Sequence, residues 1–368
     1  MNTKRISIID HVGKKAGLDH YDASLAGVLI KKSFQVKIYS NFSNGDQSIV
    51  VNHFTFSFKN KWFRFPVLLM EYYAALKLSK KDKAEIIILH IFHSTFIDYL
   101  FVRLAANFNF KVCIILHDID SLVFKQNNSW LNKCLEKSDF IVVHNVFAAD
   151  ELSKKTGNRH KMKIFVTLHG NYIDVVKKIN RKDAARYFNL DPDKAYLLFF
   201  GMIKKVKGLE ILIRAMQNIS SDIHLVIAGR TRDVSFDLYS SLTEKLNLSE
   251  RIHPLIRYIT NDERNLLFNL AEAVVIPYHK VYQSGVLLLS MSYGLPVIVS
   301  DIQSNKIIID GKNGLLFNTG DSADLAQKIN LLISDNVLKE SISKSGKEYV
   351  TNYHGWEKVG DDLSKIFN

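Results

Sequence analysis

Short apolar runs alternate with amphipathic segments along almost the whole chain. The runs RISIID, QVKIYS, AEIIILH, KVCIILHD and DFIVVHN are rich in β-branched residues and are continuously apolar. Helical periodicity fills the segments between them, for example in ASLAGVLIKK and TFIDYLFVRLAANF. Continuous apolar strands separated by helices are typical of parallel sheets that are covered on both faces. The first half of the chain therefore predicts a doubly wound α/β domain.

A polar stretch at 173–195 interrupts this alternation. It contains the turn signal DPDK and no buried strand pattern. Beyond it the alternation resumes with YLLFFG, IHLVIAG, IHPLIRY, AVVIPY and PVIVSD. We therefore expect two Rossmann-like domains, 1–172 and 196–345, that face a central cleft and are joined by 173–195. A final helix at 346–368 is expected to pack back on the first domain.

The charge of the chain limits its partners. The 368 residues carry a formal net charge of +12, which suits nucleic acid, an anionic membrane surface or a phosphorylated ligand. Nucleic acid is disfavoured because the sequence has no zinc-ligand spacing, RNP-type aromatic motif or basic zipper. The two cysteines have no partner at metal-ligand spacing, and no apolar run reaches the roughly 18 to 20 residues of a bilayer span. These features predict a cytoplasmic protein with reduced thiols.

The segment HFTFSFKNKWFRF interleaves aromatic and basic residues, and two interpretations stay open. One is a peripheral surface that binds anionic lipid at the inner face of the plasma membrane. The other is an ordinary strand and helix whose aromatic side chains belong to the core. The residues concerned are Phe56, Phe58, Lys59, Lys61, Trp62, Phe63, Arg64 and Phe65.

The stretch FFGMIKKVKGLEILIRAM predicts a strand, a cationic turn and a helix. Gly201 ends the strand, Lys204 and Lys207 lie in the turn, and Gly208 opens the helix. Lysines in such a turn are suited to neutralising a diphosphate. A solvated basic turn without a ligand is the alternative. The spacing is neither that of a Walker loop nor that of GxGxxG.

A second strand, turn and helix follow in VVIPYHKVYQSGVLLLSMSYG. The amides of its turn and the Ser284 hydroxyl are suited to an anion. Because both turns follow strands of one sheet, we expect them to hold the same diphosphate from two sides, although a turn that serves only packing is the alternative. The residues of this turn are Gln283, Ser284, Gly285 and Val286.

Together with IHLVIAGR and DGKNGLLF, these stretches resemble the donor-binding half of a family 4 glycosyltransferase with the GT-B fold. The resemblance is specific from Tyr196 to Phe317 and looser in the first half. It implies a UDP- or GDP-sugar donor as substrate, with no metal or other cofactor, and an acceptor held mainly by the first domain. A glycan or a polyprenyl-diphosphate-linked acceptor would fit. The implied function is sugar transfer in the biosynthesis of cell-surface polysaccharide or glycolipid.

The resemblance also assigns roles to single residues. Lys207 is similar to the lysine that contacts the donor diphosphate, and Lys204 would replace an arginine at whose position Met202 stands. Four residues resemble those that border the base and ribose: Gly229, Arg230, Tyr258 and Ile259.

The chain departs from the family at its paired glutamates. Val281 and Leu289 occupy the positions of the E-x7-E pattern, as in a subset of the family with an SGV-type loop. Retention and inversion therefore both stay open, although most of the family retains. A catalytically idle subunit that binds a nucleotide sugar or a protein partner is the alternative function, and an epimerase is a third.

Three residues of the first half are candidates for catalysis near the acceptor. His117 lies at the end of the strand KVCIIL, as does a histidine of the family near the transferred sugar. His20 and Asp22 follow the first glycine loop, although Asp22 also suits the N-cap of ASLAGVLIKK. His144 and His169 are further strand-end histidines, and His169 is favoured because Gly170 would permit close approach of a ligand.

Overall fold

The computed structural model describes residues 3–13, 18–42, 48–54, 61–119 and 128–368, without the side chains of 61–63 and 128. The chain forms two compact units. Unit 1 comprises Met1–Gly170 and Gly355–Asn368, and unit 2 comprises Asn171–His354. The stretch 173–195 lies within unit 2, where the backbone amide of Lys177 donates to Asn265.

Unit 1 is a seven-stranded parallel sheet with the strand order β3-β2-β1-β4-β5-β6-β7. The central strands are buried along nearly their whole length, as their continuous apolar sequences predict. The strands are β1 Arg5–Ile9, β2 Gln35–Ser40, β3 Val50–Asn52, β4 Ile86–Ile91, β5 Lys111–Leu116, β6 Phe140–Val143 and β7 Ile164–Val166.

The helices of unit 1 include one from the end of the chain. The last helix packs on α1, and a Cβ atom at Gly360 would lie 2.4 Å from Val28, so the two helices are in close contact. Because α1 begins at Leu18, the expectation that Asp22 is its N-cap is wrong. The helices are α1 Leu18–Lys31, α2 Lys61–Lys81, α3 Phe96–Asn107, α4 Asn128–Lys137, α5 Val146–Lys155 and α13 Trp356–Phe367.

Unit 2 is a six-stranded parallel sheet with the order β10-β9-β8-β11-β12-β13. Its strands are β8 Ala195–Phe200, β9 Ile223–Ala228, β10 Ile252–Leu255, β11 Ala273–Ile276, β12 Val297–Ser300 and β13 Leu315–Phe317. Its helices are α6 Arg181–Tyr187, α7 Leu209–Ala215, α8 Asp237–Lys245, α9 Asn261–Leu270, α10 Gly285–Tyr293, α11 Ser322–Ser334 and α12 Asn336–Tyr353. The predicted final helix 346–368 is thus divided between α12 in unit 2 and α13 in unit 1.

Each sheet has a point at which its strand order reverses. In unit 1 this point lies between β1 and β4, and in unit 2 it lies between β8 and β11. Open α/β sheets bind ligands beyond the carboxyl ends of the strands at such points. The two turns singled out in the sequence follow β8 and β11, so both lie at the reversal of unit 2.

The aromatic and basic segment 53–65 falls largely outside the described residues. Arg64 and Phe65 are described and are exposed at the start of α2. None of the helices that the structure describes combines the length and the hydropathy that a bilayer crossing requires. The lipid-binding interpretation of this segment remains a prediction.

Candidate functional site

The turns after β8 and β11 are in direct backbone contact. Gly208 has φ +62°, and a Cβ atom there would lie 2.0 Å from the carbonyl oxygen of Pro277. The amide of His279 donates to the carbonyl of Val206 over 2.9 Å. Only a residue without a side chain allows this approach, and glycine also tolerates the left-handed conformation. The sequence therefore brings the cationic turn and the start of the second turn together.

A second contact joins the ends of β8, β9 and α10. Gly201 has φ +105°, and a Cβ atom there would lie 3.3 Å from Cγ2 of Val286. A Cβ atom at Gly229 would collide with the carbonyl oxygen of Gly201 at 1.9 Å. The backbone of the turn after β8 thus lies against the first helical turn of α10, beside the end of β9.

The lysines of the first turn differ in their surroundings. The ammonium of Lys207 lies 3.5 Å from the ring centroid of Tyr278, a cation–π contact that fixes the side chain between the two turns. Burial raises the pKa of Tyr278, so its hydroxyl is neutral, and it interacts with the side chain of Ser284. Lys204 is largely buried, whereas Met202 is exposed. Lys207 is therefore the cation that both turns share.

Ser284 has a structural task that the sequence did not reveal. Its hydroxyl accepts a hydrogen bond from the amide of Leu287 over 3.2 Å and thereby caps α10. The remaining amides of the first helical turn of α10, which include that of Gly285, have no acceptor within the helix. A Cβ atom at Gly285 would lie 3.0 Å from the hydroxyl of Tyr172, so this tyrosine borders the helix start. Gln283 precedes the cap and is half-buried.

The segments expected to border the base and ribose also lie together. The guanidinium of Arg230, which follows Gly229 at the end of β9, lies 5.0 Å from the ring centroid of Tyr258. Ile259 is partly buried against the core of unit 2. This aromatic and apolar border is suited to a planar base.

The loop that carries Tyr258 is held by a capping box. Thr260 caps α9, and Glu263 accepts hydrogen bonds from the backbone and hydroxyl of Thr260 over 2.9 Å each. Arg257 lies 2.6 Å from the other oxygen of Glu263. The guanidinium of Arg257 and the bonds from Thr260 lower the pKa of Glu263 to about 2, although burial opposes them. The carboxylate therefore stabilises the folded loop while it is ionised.

We expect Glu263→Gln to reduce stability in a pH-dependent way. Glutamine keeps the capping geometry but loses the ionic contact, so the variant should lose about 1 kcal/mol at pH 7. A depressed carboxyl pKa stabilises the fold above its unfolded value near 4.5, and this contribution disappears as the pH falls towards 2. Thermal unfolding of both proteins at pH 7 and pH 2.5 measures the difference. A gap that is equal at both pH values would contradict the assignment.

The two positions at which the resemblance leads us to expect glutamates belong to the core. Val281 and Leu289 are both buried and pack in the main hydrophobic cluster of unit 2. Their side chains offer no hydrogen-bonding group to a ribose or a sugar. Any polar contact to a ligand at this end of the sheet must therefore come from other residues.

In unit 1, polar side chains gather around the ring of Tyr21. The imidazoles of four strand-end histidines lie 5.0 to 5.9 Å from this ring, centroid to centroid. His20 lies at the edge of the group, 6.2 Å from Trp356 between ring centroids. Among the described residues, no set of three His, Cys, Asp or Glu side chains is arranged to hold a metal ion. The four histidines are His90, His117, His144 and His169.

Two sequence expectations change at this cluster. A Cβ atom at Gly170 would lie 2.3 Å from the indole of Trp356, so this glycine accommodates a tryptophan, and the reason for favouring His169 was wrong. Asp22 is completely buried, so its carboxyl group is not exposed to an acceptor. His117 remains half-buried at the strand end.

Sequence reasoning missed two buried members of the cluster, Asp10 and His90. Asp10 directly follows β1, and His90 is the penultimate residue of β4, so both lie at the strand-order reversal of unit 1. The available signal was a charged or titratable residue at the end of each of two apolar runs, RISIID and IIILH.

Comparison with known proteins finds two family models that match parts of this chain. Residues 194–335 match the family described as Glycosyl transferases group 1. Residues 90–165 match the family described as Glucosyltransferase 3-like, N-terminal domain. The capsular polysaccharide biosynthesis glycosyltransferase CapM of Staphylococcus aureus is 26% identical over 196 residues, which cover 51% of this chain and 50% of CapM. This chain thus spans about half the length of the first curated relatives that it matches.

Solved structures share the fold over nearly the whole chain. Sucrose-phosphate synthase of Thermosynechococcus elongatus aligns with a TM-score of 0.77 at 18% identity, covering 99% of this chain and 98% of the other. HepE of Anabaena, in complex with UDP-glucose, aligns with a TM-score of 0.72 at 14% identity, covering 99% of both chains. The predicted architecture of two Rossmann-like parallel-sheet domains of GT-B type is confirmed.

Proposed function

We propose that this protein is a glycosyltransferase that moves a sugar from a nucleotide-sugar donor to a glycan or lipid-linked acceptor. The observation that carries this proposal is the contact between the two turns of unit 2. Lys207, the glycine-bordered backbone and the start of α10 converge at the strand-order reversal between β8 and β11. A lysine beside helix amides stabilises the negative charge that develops on a departing nucleoside diphosphate.

The proposal gives each site residue a role. Lys207 and the amides of Gly285 and Val286 would hold the diphosphate, with Lys204 as a second cation. Arg230, Tyr258 and Ile259 would border the base, and Gly201 and Gly229 would let the nucleotide approach the backbone. His117 in unit 1 would contact the reacting sugar or acceptor. The apolar residues at 281 and 289 fit the SGV-loop subset of family 4.

The nature of the substrates is also part of the proposal. HepE was crystallised with UDP-glucose, and CapM is named for capsular polysaccharide biosynthesis, which supports a UDP-sugar donor and a cell-surface glycan as product. A polyprenyl-diphosphate-linked acceptor at the cytoplasmic face of a membrane would also suit the net charge of +12. No metal or cofactor is invoked for the transfer.

Release of nucleoside diphosphate tests the proposal. The full chain is incubated with UDP-, GDP- and dTDP-sugars, with and without a membrane extract as the source of acceptor. We expect release with one class of donor, and we expect the extract to increase it. Donor binding without turnover under every condition would favour the idle binding subunit. Conversion of the donor sugar without any acceptor would favour an epimerase.

A further inference from the structure

A buried row of polar groups lies behind His117 in unit 1. Nε2 of His117 is hydrogen-bonded to Nδ1 of His90 over 2.9 Å. Nε2 of His90 lies 2.8 Å from Oδ1 of Asp22, although its N–H is not aligned with the oxygen. The final torsion of a histidine side chain is soft, so a small rotation of the ring aligns the two groups. The row leaves Nδ1 of His117 for a ligand, since this nitrogen has no hydrogen-bond partner in the described part of the chain.

The row ends at a pair of buried carboxyl groups. Asp10 accepts hydrogen bonds from the amides of Val12 and Gly13, each over 2.8 Å, whereas no described N–H or O–H group donates to Asp22 in aligned geometry. Asp10 and Asp22 are nevertheless near enough for each carboxyl group to affect the ionisation of the other. Because two ionised carboxylates buried side by side repel each other, one of the two carries a proton. The amides that stabilise Asp10 as an anion place this proton on Asp22.

The electrostatics of the pair agree with this geometry. Burial raises the pKa of Asp22 to about 8 and that of Asp10 to about 7. A neighbouring carboxylate raises each pKa further, that of Asp19 for Asp22 and that of Asp22 for Asp10. The pair therefore titrates as a coupled unit close to neutrality. Burial lowers the pKa of His90 and of His117, so both imidazoles are neutral there. Among the described residues, the other titratable groups that face the row are His11, Tyr21, His144 and His169.

We propose that Asp10, Asp22 and His90 form a proton-conducting chain that accepts, through His117, the proton of the acceptor hydroxyl. This inference rests on the proposed function, since His117 must contact the substrate. His117 is then the catalytic residue. His90, Asp22 and Asp10 act through it, as positioning residues that hold its tautomer and take up its proton.

The protons in this step balance. With one proton shared by the carboxyl pair, His90 donates from Nε2 to Asp22 and accepts at Nδ1 from His117, so Nδ1 of His117 carries a free lone pair. The acceptor O–H bond breaks and an N–H bond forms at that Nδ1. The Nε2 proton of His117 passes to His90, and the Nε2 proton of His90 passes to Asp22. The shared proton moves to Asp10, the pair becomes neutral, and the negative charge leaves with the nucleoside diphosphate.

The proton-conducting chain predicts that His117 changes its tautomer with pH in the protein without substrate. When the pair is neutral, Asp22 donates to His90, His90 donates to His117, and the proton of His117 resides on Nδ1. When the pair is anionic, the row reverses and the proton resides on Nε2. Nitrogen-15 NMR of histidine-labelled full-length protein between pH 6.5 and 9 should show the two ring nitrogens of His117 exchanging roles without a change in ring charge. Infrared spectra of the unmodified protein should lose a protonated-carboxyl band over the same range.

Asp22→Asn should abolish the switch. Its amide would donate to Asp10 and accept from His90 at every pH, so His117 would stay protonated at Nε2. Because the proton sink is lost, kcat should fall on the order of 100-fold while KM for the donor is unchanged. Asp19→Asn is the matched control, a carboxyl on the same helix that should shift the switch to lower pH without removing it. His253 is an internal control, since its Nε2 lies 2.9 Å from Nδ1 of His224, as in the pair His117–His90, and this second pair should show no switch.

The outcomes separate this inference from the proposed function. The proposed proton-conducting chain is contradicted if His117 keeps one tautomer throughout the pH range. It is also contradicted if the tautomer switch persists in Asp22→Asn. If the variant does not fold, the infrared spectrum of the unmodified protein serves as the test. A protonated-carboxyl band that stays constant with pH also contradicts the proton-conducting chain. If the protein shows the tautomer switch of His117 but transfers no sugar, the result supports the proton-conducting chain and counts against the proposed function. In an active enzyme, kcat should rise with pH together with the Nε2–H tautomer, and a flat profile overturns the catalytic role.

Discussion

Lys207→Ala should weaken binding of UDP or GDP by about 10- to 100-fold. A charge-assisted hydrogen bond to a phosphate contributes about 1.5–3 kcal/mol, and 1.4 kcal/mol corresponds to a factor of ten. Lys207 is already held between the two turns by Tyr278, so little side-chain entropy is lost when a diphosphate binds. Titration calorimetry with both nucleotides measures the change.

The same turn supplies a matched control. Lys205 is exposed, and its backbone amide rather than its side chain bonds to Asp233, so Lys205→Ala leaves that contact intact. Its nucleotide affinity should change less than threefold, and the remaining effect should vanish in high salt because exposed charges are screened. Equal losses in the two variants would show that only the general positive charge of the turn matters. Unchanged affinity in Lys207→Ala would remove this residue from the site.

The sequence predicted the framework of unit 2 well because its signals are local. Buried parallel strands are continuous apolar runs, and each predicted turn is marked by glycine beside charge or small residues. The sequence alone therefore predicted the turns that contain Gly201, Lys207 and Gly285. Their meeting point followed from one physical rule, since the carboxyl ends of neighbouring parallel strands lie at the same edge of a sheet.

The rest could not be predicted because it depends on contacts between distant parts of the chain. Asp10, Asp22 and His90 lie up to 80 positions apart, and no local pattern shows that they share one buried space. Ser284 has the same sequence signature whether its hydroxyl binds a ligand or caps a helix, and the structure shows the cap. Burial, which only tertiary structure reveals, removes Asp22 from the candidates that could touch a ligand directly, and the role we propose for it acts through His90.

Gly208→Ala should disrupt the site more severely than any loss of charge. The new Cβ atom would lie 2.0 Å from the carbonyl oxygen of Pro277, and both partners of this collision are backbone atoms of packed elements. Alanine also pays for the left-handed conformation at φ +62°. We expect a loss of about 3–5 kcal/mol in stability, from this conformational cost together with overpacking. The two turns must separate to relieve the collision, so nucleotide binding should fall below detection.

Gly311→Ala separates the collision from the conformational cost. Gly311 has φ +73°, close to that of Gly208, but no atom of the described residues other than its chain neighbours lies within 4 Å of the position that its Cβ atom would occupy. This variant should lose about 1–2 kcal/mol, the cost of the left-handed backbone alone, and should bind UDP normally. Denaturant unfolding and calorimetry on both variants measure the two effects. If Gly208→Ala loses no more stability than Gly311→Ala and still binds nucleotide, the close contact between the turns is not what builds the site.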